Sequence, residues 1–493
     1  MEHHVTAPDT DNFLRHLIGG DWVDGEGPVT TTTNPSDETT VAEYHQADTR
    51  LLDAAVSAAV SARREWDDRG IIARGLVLRR AAEILAERAD EIAELMTREQ
   101  GKTLPESRAE VGATVETLHY HAAQARNADG ATYPSSHPDE VIRTVRRPLG
   151  VVAAITPWNF PLQIPAWKLA PALLWGNTVV WKPASDTVAV AAAFAEVLAA
   201  AGVPAGVLNM ILGPGPIGAE LVAQEEVSGV TFTGSVPVGR SIQAAAVPRG
   251  AKVQMELGGH NAAIVLPDVD PHDAAAVLIA GAMGSTGQKC TATRRIIAVG
   301  DAYDALVPEL VARVEELVVG DGLAPESQVG PLVSPRAAKE VTAAVVQALS
   351  EGAELLARAP LPTSGAAFVA PTLLAGSTEL TICREEVFGP VTTILRAKDL
   401  DEAITVANAT PFGLTAAVFT CDERAVRRCI RDLEAGLIKV NAPNTGSELH
   451  APFGGLKDSS FPAPREQNAA TSAEFFTWSK IAYARTGTPR SDA

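Results

Sequence analysis

Four short β-branched runs decide the fold: VRRPLGVVAAITPW (145–158), NTVVWKPAS (177–185), GVLNMILG (206–213) and GVTFTGS (229–235). Segments with a helical pattern near 161–174, 187–202 and 216–224 separate them. Strands alternating with helices of this length predict βαβ units and a parallel sheet. The rhythm resumes with AAIVL (262–266), a helix over 271–284, RRIIAVG (294–300) and a helix over 302–318. It continues with VTTILRA (391–397), a helix over 400–408, AAVFT (416–420), a helix over 422–434 and LIKVN (437–441). Two α/β domains in series account for this better than one. Upstream, residues 51–66, 71–99 and 106–126 place apolar residues at i, i+3 and i+4 and read as helices. Residues 1–50 read as strands and turns, with LIGGDWVDGEG (17–27) a hairpin around Gly25.

Two segments stand outside this rhythm. Residues 127–147, which run into EVIRTVRRP, and residues 474–485 (EFFTWSKIAYAR) both alternate as strands. They are expected to pair with each other and extend into a partner subunit, the alternative being an ordinary edge hairpin.

The 493 residues are 46% hydrophobic and 20% charged, which excludes large-scale disorder. The formal net charge of −19 opposes binding to nucleic acid or an anionic membrane. The 4 cysteines, Cys290, Cys383, Cys421 and Cys429, form no CxxC pair and no zinc-type cluster, so neither a disulfide scaffold nor a metal site is expected. His119 and His121 are i, i+2 on a helix and do not share a face. A reducing cytoplasm is the expected compartment. MEHHVTAPDTDNF lacks the pattern of a signal peptide, and the apolar stretch Thr187–Ala201 carries Glu196 and is too short to span a bilayer.

Four segments carry chemistry. Cys290 in GSTGQKCTATRR follows glycines that favour a tight loop, and Lys289 and Arg294 are cations able to lower its pKa. A lone cysteine is otherwise a small buried hydrophobe. Glu256 in MELGGHN precedes two glycines that let a ligand approach the backbone, or is simply a cap or surface charge. Asn159 in TPWNFP sits between prolines, suited to hold an oxyanion or to form an Asx turn. FTGSVPVG runs from a strand into a helix start, as phosphate sites do, yet its spacing is neither G-x-G-x-x-G nor a P-loop.

Together these motifs are far more specific. PWNFP (157–161), KLAPALLWGNTVVWKP (168–183), FTGSVPVG (232–239), MELGG (255–259), GQKC (287–290), EEVFGP (385–390) and PFGGLK (452–457) resemble, in this order, the aldehyde dehydrogenase superfamily over nearly the whole chain. The resemblance implies an α/β fold with a Rossmann-type NAD(P)-binding domain (1–126 and 148–258), an α/β catalytic domain (259–445) and a small β oligomerisation element (127–147 and 474–485). It implies that Cys290 attacks the aldehyde, that the Asn159 amide and the Cys290 backbone N–H hold the oxyanion, and that Glu256 activates water against a thioester. Lys168 would tune proton traffic.

For NAD or NADP, the resemblance assigns Lys182 to the adenosine ribose, Val238 to adenine, Glu386 to the nicotinamide ribose and Phe388 to the ring. Ile155, Thr156, Pro157, Trp158, Ala184, Gly215, Gly218, Phe232, Thr233, Gly234, Ser235, Gly239 and Leu257 complete the cofactor set. Many NAD-preferring members carry Glu three residues after the lysine. Ser185 stands there, which removes repulsion of a 2′-phosphate, so NADP is expected to be accepted.

The substrate mouth is expected to include Phe160, Gln163, Trp167, Lys289 and Phe453. IPAWKLAPAL, GSTGQKCTAT, KDSS and PREQ look most like α-ketoglutarate semialdehyde (2,5-dioxovalerate) dehydrogenases. Succinic semialdehyde dehydrogenases typically carry arginines where Trp167 and Gly284 stand. Betaine aldehyde and aromatic or aliphatic aldehydes are the alternatives. Lys289, Arg294 and Arg465 are the candidate cations for an acidic substrate. Hydrolysis at Glu256 is expected over acyl transfer to CoA, and a non-catalytic scaffold is the remote alternative. A homodimer or homotetramer is expected.

Overall fold

The computed structural model describes residues 13–127, 130–362, 365–461, 468 and 471–486. The four runs that open the sequence reading lie in one eight-stranded sheet. Its order is Ser460–Phe461, Lys252–Glu256, Val227–Thr233, Val151–Ile155, Thr178–Lys182, Leu208–Met210, His16–Ile18 and Asp21–Val23. The middle five strands are parallel. Val151, Val152, Val179, Val180 and Trp181 are each fully buried, as strands covered on both faces must be.

Four helices precede the central strand: α1 (Thr49–Asp68), α2 (Ile71–Glu87), α3 (Ala89–Gln100) and α4 (Leu104–Gln124). The crossovers are α5 (Gln163–Leu174), α6 (Val188–Ala200), α7 (Gly215–Ala223) and α8 (Val236–Ala246). A seven-stranded sheet follows, ordered Glu354–Arg358, Thr372–Ala375, Val391–Ala397, Thr293–Val299, Asn261–Val265, Thr415–Phe419 and Leu437–Val440. It is parallel except for its first strand. The helix α9 (Pro271–Met283) packs on it and leads into the Cys290 loop.

The two segments outside the rhythm do pair. Strand Thr477–Arg485 runs antiparallel to Glu140–Pro148 in unbroken register, from Thr477 opposite Pro148 to Arg485 opposite Glu140. The short strand Thr132–Tyr133 completes this three-stranded sheet.

Two expectations need correction. The N-terminal hairpin turns at Gly19–Gly20, both at positive φ (64° and 93°), and not at Gly25. Gly25 instead packs against backbone, where an added Cβ would stand 2.7 Å from the His45 carbonyl oxygen. The helix expected over 71–99 breaks at Arg88 (φ −100°, ψ 14°). No residue there opposes helix formation. The tertiary contact at the break is the Arg88 ion pair to Glu196 on α6 at 3.2 Å, beside a local one to Glu91 at 2.6 Å.

Candidate active site

In the first sheet the strand order reverses at Val151–Ile155, whose parallel neighbours are Thr178–Lys182 on one side and Val227–Thr233 on the other. The crevice at the carboxyl ends of such strands is where open α/β sheets bind ligands. Thr156–Asn159 leaves one of these ends, and Gly234–Ser235 leaves the other and caps α8. Asn159 joins the two sheets: its buried side chain donates from Nδ2 to the Gln288 carbonyl at 2.9 Å. An amide nitrogen carries two hydrogens, so a second donor remains for an oxyanion.

The loop of Asn159 is held from below by a buried ion pair. Lys102 Nζ donates to Glu110 Oε2 at 2.6 Å and to the Asn159 carbonyl at 2.7 Å, with both charged groups essentially without solvent exposure. Glu110 Oε1 accepts from the backbone N–H of Leu162 (2.9 Å) and Gln163 (3.1 Å), at the start of α5. The sequence reading missed this pair. Its one local signal is a glutamate on the buried face of α4, among Ser107, Val111 and Thr114.

Cys290 ends a strained loop. Ser285 and Thr286 both lie in the left-handed region (φ 52° and 56°), which costs roughly 1–2 kcal/mol per non-glycine residue. Side chains hold them there. Glu106 accepts from Ser285 N at 2.6 Å, and Thr286 Oγ1 donates to the Gly330 carbonyl at 3.0 Å. Arg294 staples the loop by donating to the carbonyls of Gly389, Gly287 and Lys289 (2.8, 2.6 and 3.2 Å). Asn261 Nδ2 donates to the Cys290 carbonyl at 2.8 Å.

The sequence reading expected nearby cations to lower the Cys290 pKa. The balance runs the other way: burial, then the Glu386 and Glu256 charges, push the thiol up to about 12, against the smaller opposing effect of Arg294. Arg294 is buried and committed to carbonyls, which removes it as a substrate cation. Arg465 lies outside the described residues.

Glu256 ends strand Lys252–Glu256 and is buried, accepting from Ser460 Oγ at 2.8 Å. Lys168 on α5 is fully buried and donates to Thr231 Oγ1 at 3.0 Å. Burial pulls its pKa down to about 7, partly offset by the Glu256 charge. Cys290, Glu256, Lys168 and Glu386 are thus electrostatically linked, whereas His260 is a buried residue engaged with the Ile382 carbonyl at 3.1 Å.

Several of the residues assigned to a cofactor lie in local contact. Trp158 and Phe388 meet edge to face at 5.6 Å. Glu386 Oε1 accepts from Gly259 N at 3.2 Å, and a Cβ on Gly258 would stand 2.3 Å from Glu386 Oε2. Burial raises the Glu386 carboxyl to about 7, against Arg294 and the Gly259 N–H. A Cβ on Gly239 would meet Leu257 at 2.9 Å, one on Gly218 would meet Lys182 at 3.1 Å, and one on Gly234 would meet the Phe232 ring at 2.4 Å. A cavity of about 260 Å³ opens beside Trp158, Val341, Ile382, Glu386 and Phe388. Val238 is exposed on α8. Ser185 donates to the Gly213 carbonyl at 3.1 Å, so giving that proton to a 2′-phosphate means exchanging this bond. Of the substrate candidates, Trp167 packs on Phe453 at 5.4 Å and Phe160 lies under Lys102 at 4.2 Å.

Residues 22–481 match the family model for the aldehyde dehydrogenase family. The chain belongs to the aldehyde dehydrogenase family. It is 41% identical to an alpha-ketoglutarate semialdehyde dehydrogenase from Haloferax volcanii, covering 95% of this chain and 98% of that one. It is 39% identical to an alpha-ketoglutaric semialdehyde dehydrogenase from Bacillus subtilis, covering 96% and 98%. A solved NADP-dependent enzyme of E. coli superposes with a TM-score of 0.92 at 33% identity, covering 97% of this chain and 99% of that one. This aldehyde dehydrogenase is an NAD(P)-dependent oxidoreductase acting on an aldehyde group. The close approach of Gly258–Gly259 to Glu386 and of Gly218 to Lys182, where a Cβ would intrude, is of the kind a nicotinamide dinucleotide site needs. Among the described residues no helix is long and apolar enough to cross a membrane.

Proposed function

We propose that this aldehyde dehydrogenase oxidises α-ketoglutarate semialdehyde (2,5-dioxovalerate) to the dicarboxylic acid by covalent catalysis at Cys290. The observation that carries the mechanism is the convergence of a cysteine, two buried carboxylates and a positioned amide in one crevice. The thiol is held protonated at rest, so attack on the aldehyde carbon requires removal of its proton, which the nearby Glu256 carboxylate accepts and passes on before it acts on water. Asn159 and the Cys290 backbone N–H then hold the oxyanion of the thiohemiacetal. NAD(P)+ supplies the hydride acceptor. Glu256, fixed by Ser460, activates the water that releases the acid from the Cys290 thioester. Lys168, poised near neutrality, takes part in returning that proton. A free CoA acceptor has no use for a base at Glu256.

The semialdehyde relatives named above, at 41% and 39% identity, support the substrate. NADP acceptance is supported by Ser185, which puts no carboxylate at the adenosine ribose, and by Lys182 beside it. Assembly into a homodimer or homotetramer is supported by the three-stranded arm: Thr477–Arg485 is its outer strand, and Val141, Ile481 and Tyr483 are exposed on it. A reducing compartment such as the cytoplasm suits a mechanism that needs a free thiol at Cys290.

Kinetics across 2,5-dioxovalerate, succinic semialdehyde, betaine aldehyde and simple aldehydes test the substrate. Simple aldehydes turning over as well as 2,5-dioxovalerate would remove it. Cys290→Ala should abolish reduced-cofactor formation, and Glu256→Gln should give one burst and then stall. Ser185→Glu should move the kcat/KM ratio toward NAD by about tenfold or more. A wild-type NAD preference of about a hundredfold would overturn the cofactor reading.

A further inference from the structure

Two lysines stand beside the nucleophile loop in opposite states. Lys102 is fully engaged by Glu110 and the Asn159 carbonyl. Lys289, the residue immediately before Cys290, is half-buried, and among the described residues no carboxylate lies within ion-pair distance of its ammonium. Burial, with the Lys102 charge, disfavours its charged form, and Glu106 is the acidic group that opposes this most, ahead of Glu110 and Cys290. Glu106 is occupied: Oε1 accepts from Ser285 N at 2.6 Å, and Oε2 accepts from Thr103 N and Oγ1 at 3.1 and 3.0 Å.

The ammonium also has a space made for it. A Cβ at position 284 would stand 3.1 Å from Lys289 Nζ, so the glycine there leaves the lysine head its room. On α5, Trp167 beside Phe453 keeps its indole Nε1 buried with no hydrogen-bond partner. An ammonium partly withdrawn from water with no direct ion pair is only partly compensated by Glu106 at longer range, and an anionic guest in contact relieves it.

We propose that Lys289 selects aldehydes that carry a carboxylate, its ammonium receiving that carboxylate while Cys290 takes the aldehyde carbon. The proposal deepens the substrate reading above and rests on it. The two side chains start from adjacent residues. A lysine reaches out on a four-carbon stem, comparable to the carbon chain that separates aldehyde from carboxylate in a five-carbon semialdehyde. The selectivity is local, on a chain whose net charge of −19 repels anions at long range.

The test measures kcat/KM for 2,5-dioxovalerate, succinic semialdehyde and pentanal on wild type, Lys289→Met and Lys289→Arg, with thermal melting as the fold control. The ratio of the acidic aldehydes to pentanal should fall about tenfold or more in Lys289→Met, chiefly through KM, and Lys289→Arg should keep most of it. Lys289→Gln serves in place of Lys289→Met if that variant does not melt cooperatively. A proportionate loss on all three substrates leaves the ratio unchanged and overturns the proposal, since Lys289 would then act through the loop or the thiol. Unchanged kinetics overturn it too, as does a wild type indifferent to the carboxylate. A wild type that prefers succinic semialdehyde, with the same Lys289 dependence, would displace 2,5-dioxovalerate as the substrate and uphold the role of Lys289.

Discussion

Cys290, the nucleophile of the proposed mechanism, is kept in its unreactive form. Burial and the two carboxylates hold its thiol up to about 12, so at neutral pH almost none is thiolate. Below that value the thiolate fraction grows about tenfold with each pH unit. The pre-steady-state burst should therefore steepen continuously between pH 6 and 9. A burst rate flat across that range would mean that the thiol is already ionised when substrate arrives. The restraint has a use: an ionised cysteine is the form that oxidises, and a protonated one is protected between turnovers.

At the scale of elements, the decisive joint is between the start of α4 and the start of α5. Lys102 and Glu110 tie the Asn159 loop to both. Removing one member of a buried pair costs about 3–5 kcal/mol, because its partner is left charged and unpaired. Lys102→Met should lose stability on that scale in urea unfolding and should lower kcat, since the Asn159 carbonyl loses its donor. Glu110→Gln keeps the acceptor for Leu162 and Gln163 while removing the charge. The double variant should regain much of the stability and little of the rate. A double variant no more stable than Lys102→Met would place the effect elsewhere.

This joint also marks what the sequence could disclose. The alternation of strands and helices was legible because period and turn residues are local properties. Cys290, Glu256 and Asn159 were singled out by motifs that are specific only as an ordered set, each alone also reading as a buried thiol, a cap or an Asx turn. The grip of Lys102 on Asn159, of Ser460 on Glu256 and of Arg88 on Glu196 spans 57 to 204 positions along the chain, and no local pattern encodes such a meeting. Arg294 shows the reverse failure: read as a free cation, it is a staple, because a guanidinium in a loop of exposed carbonyls is consumed by them.

Across the whole molecule, the arm built from Glu140–Pro148 and Thr477–Arg485 stands apart from both large sheets. If it joins copies of the chain, Ile481→Asp should reduce the mass seen by light scattering to that of one chain, because an exposed apolar residue would become a charge at the contact. An unchanged mass would assign assembly to another surface. The pairing of these strands has a temporal side as well. Thr477 meets Pro148, a partner synthesised 329 positions earlier. At about 5–20 residues per second that strand waits roughly 15–70 s on the ribosome with its edge unfilled. The edge strand Ser460–Phe461, which supplies the serine for Glu256, comes nearly as late. A chain cut short before Ser460 therefore lacks the hydroxyl that grips Glu256, and one cut short before Thr477 lacks the outer strand of the arm as well.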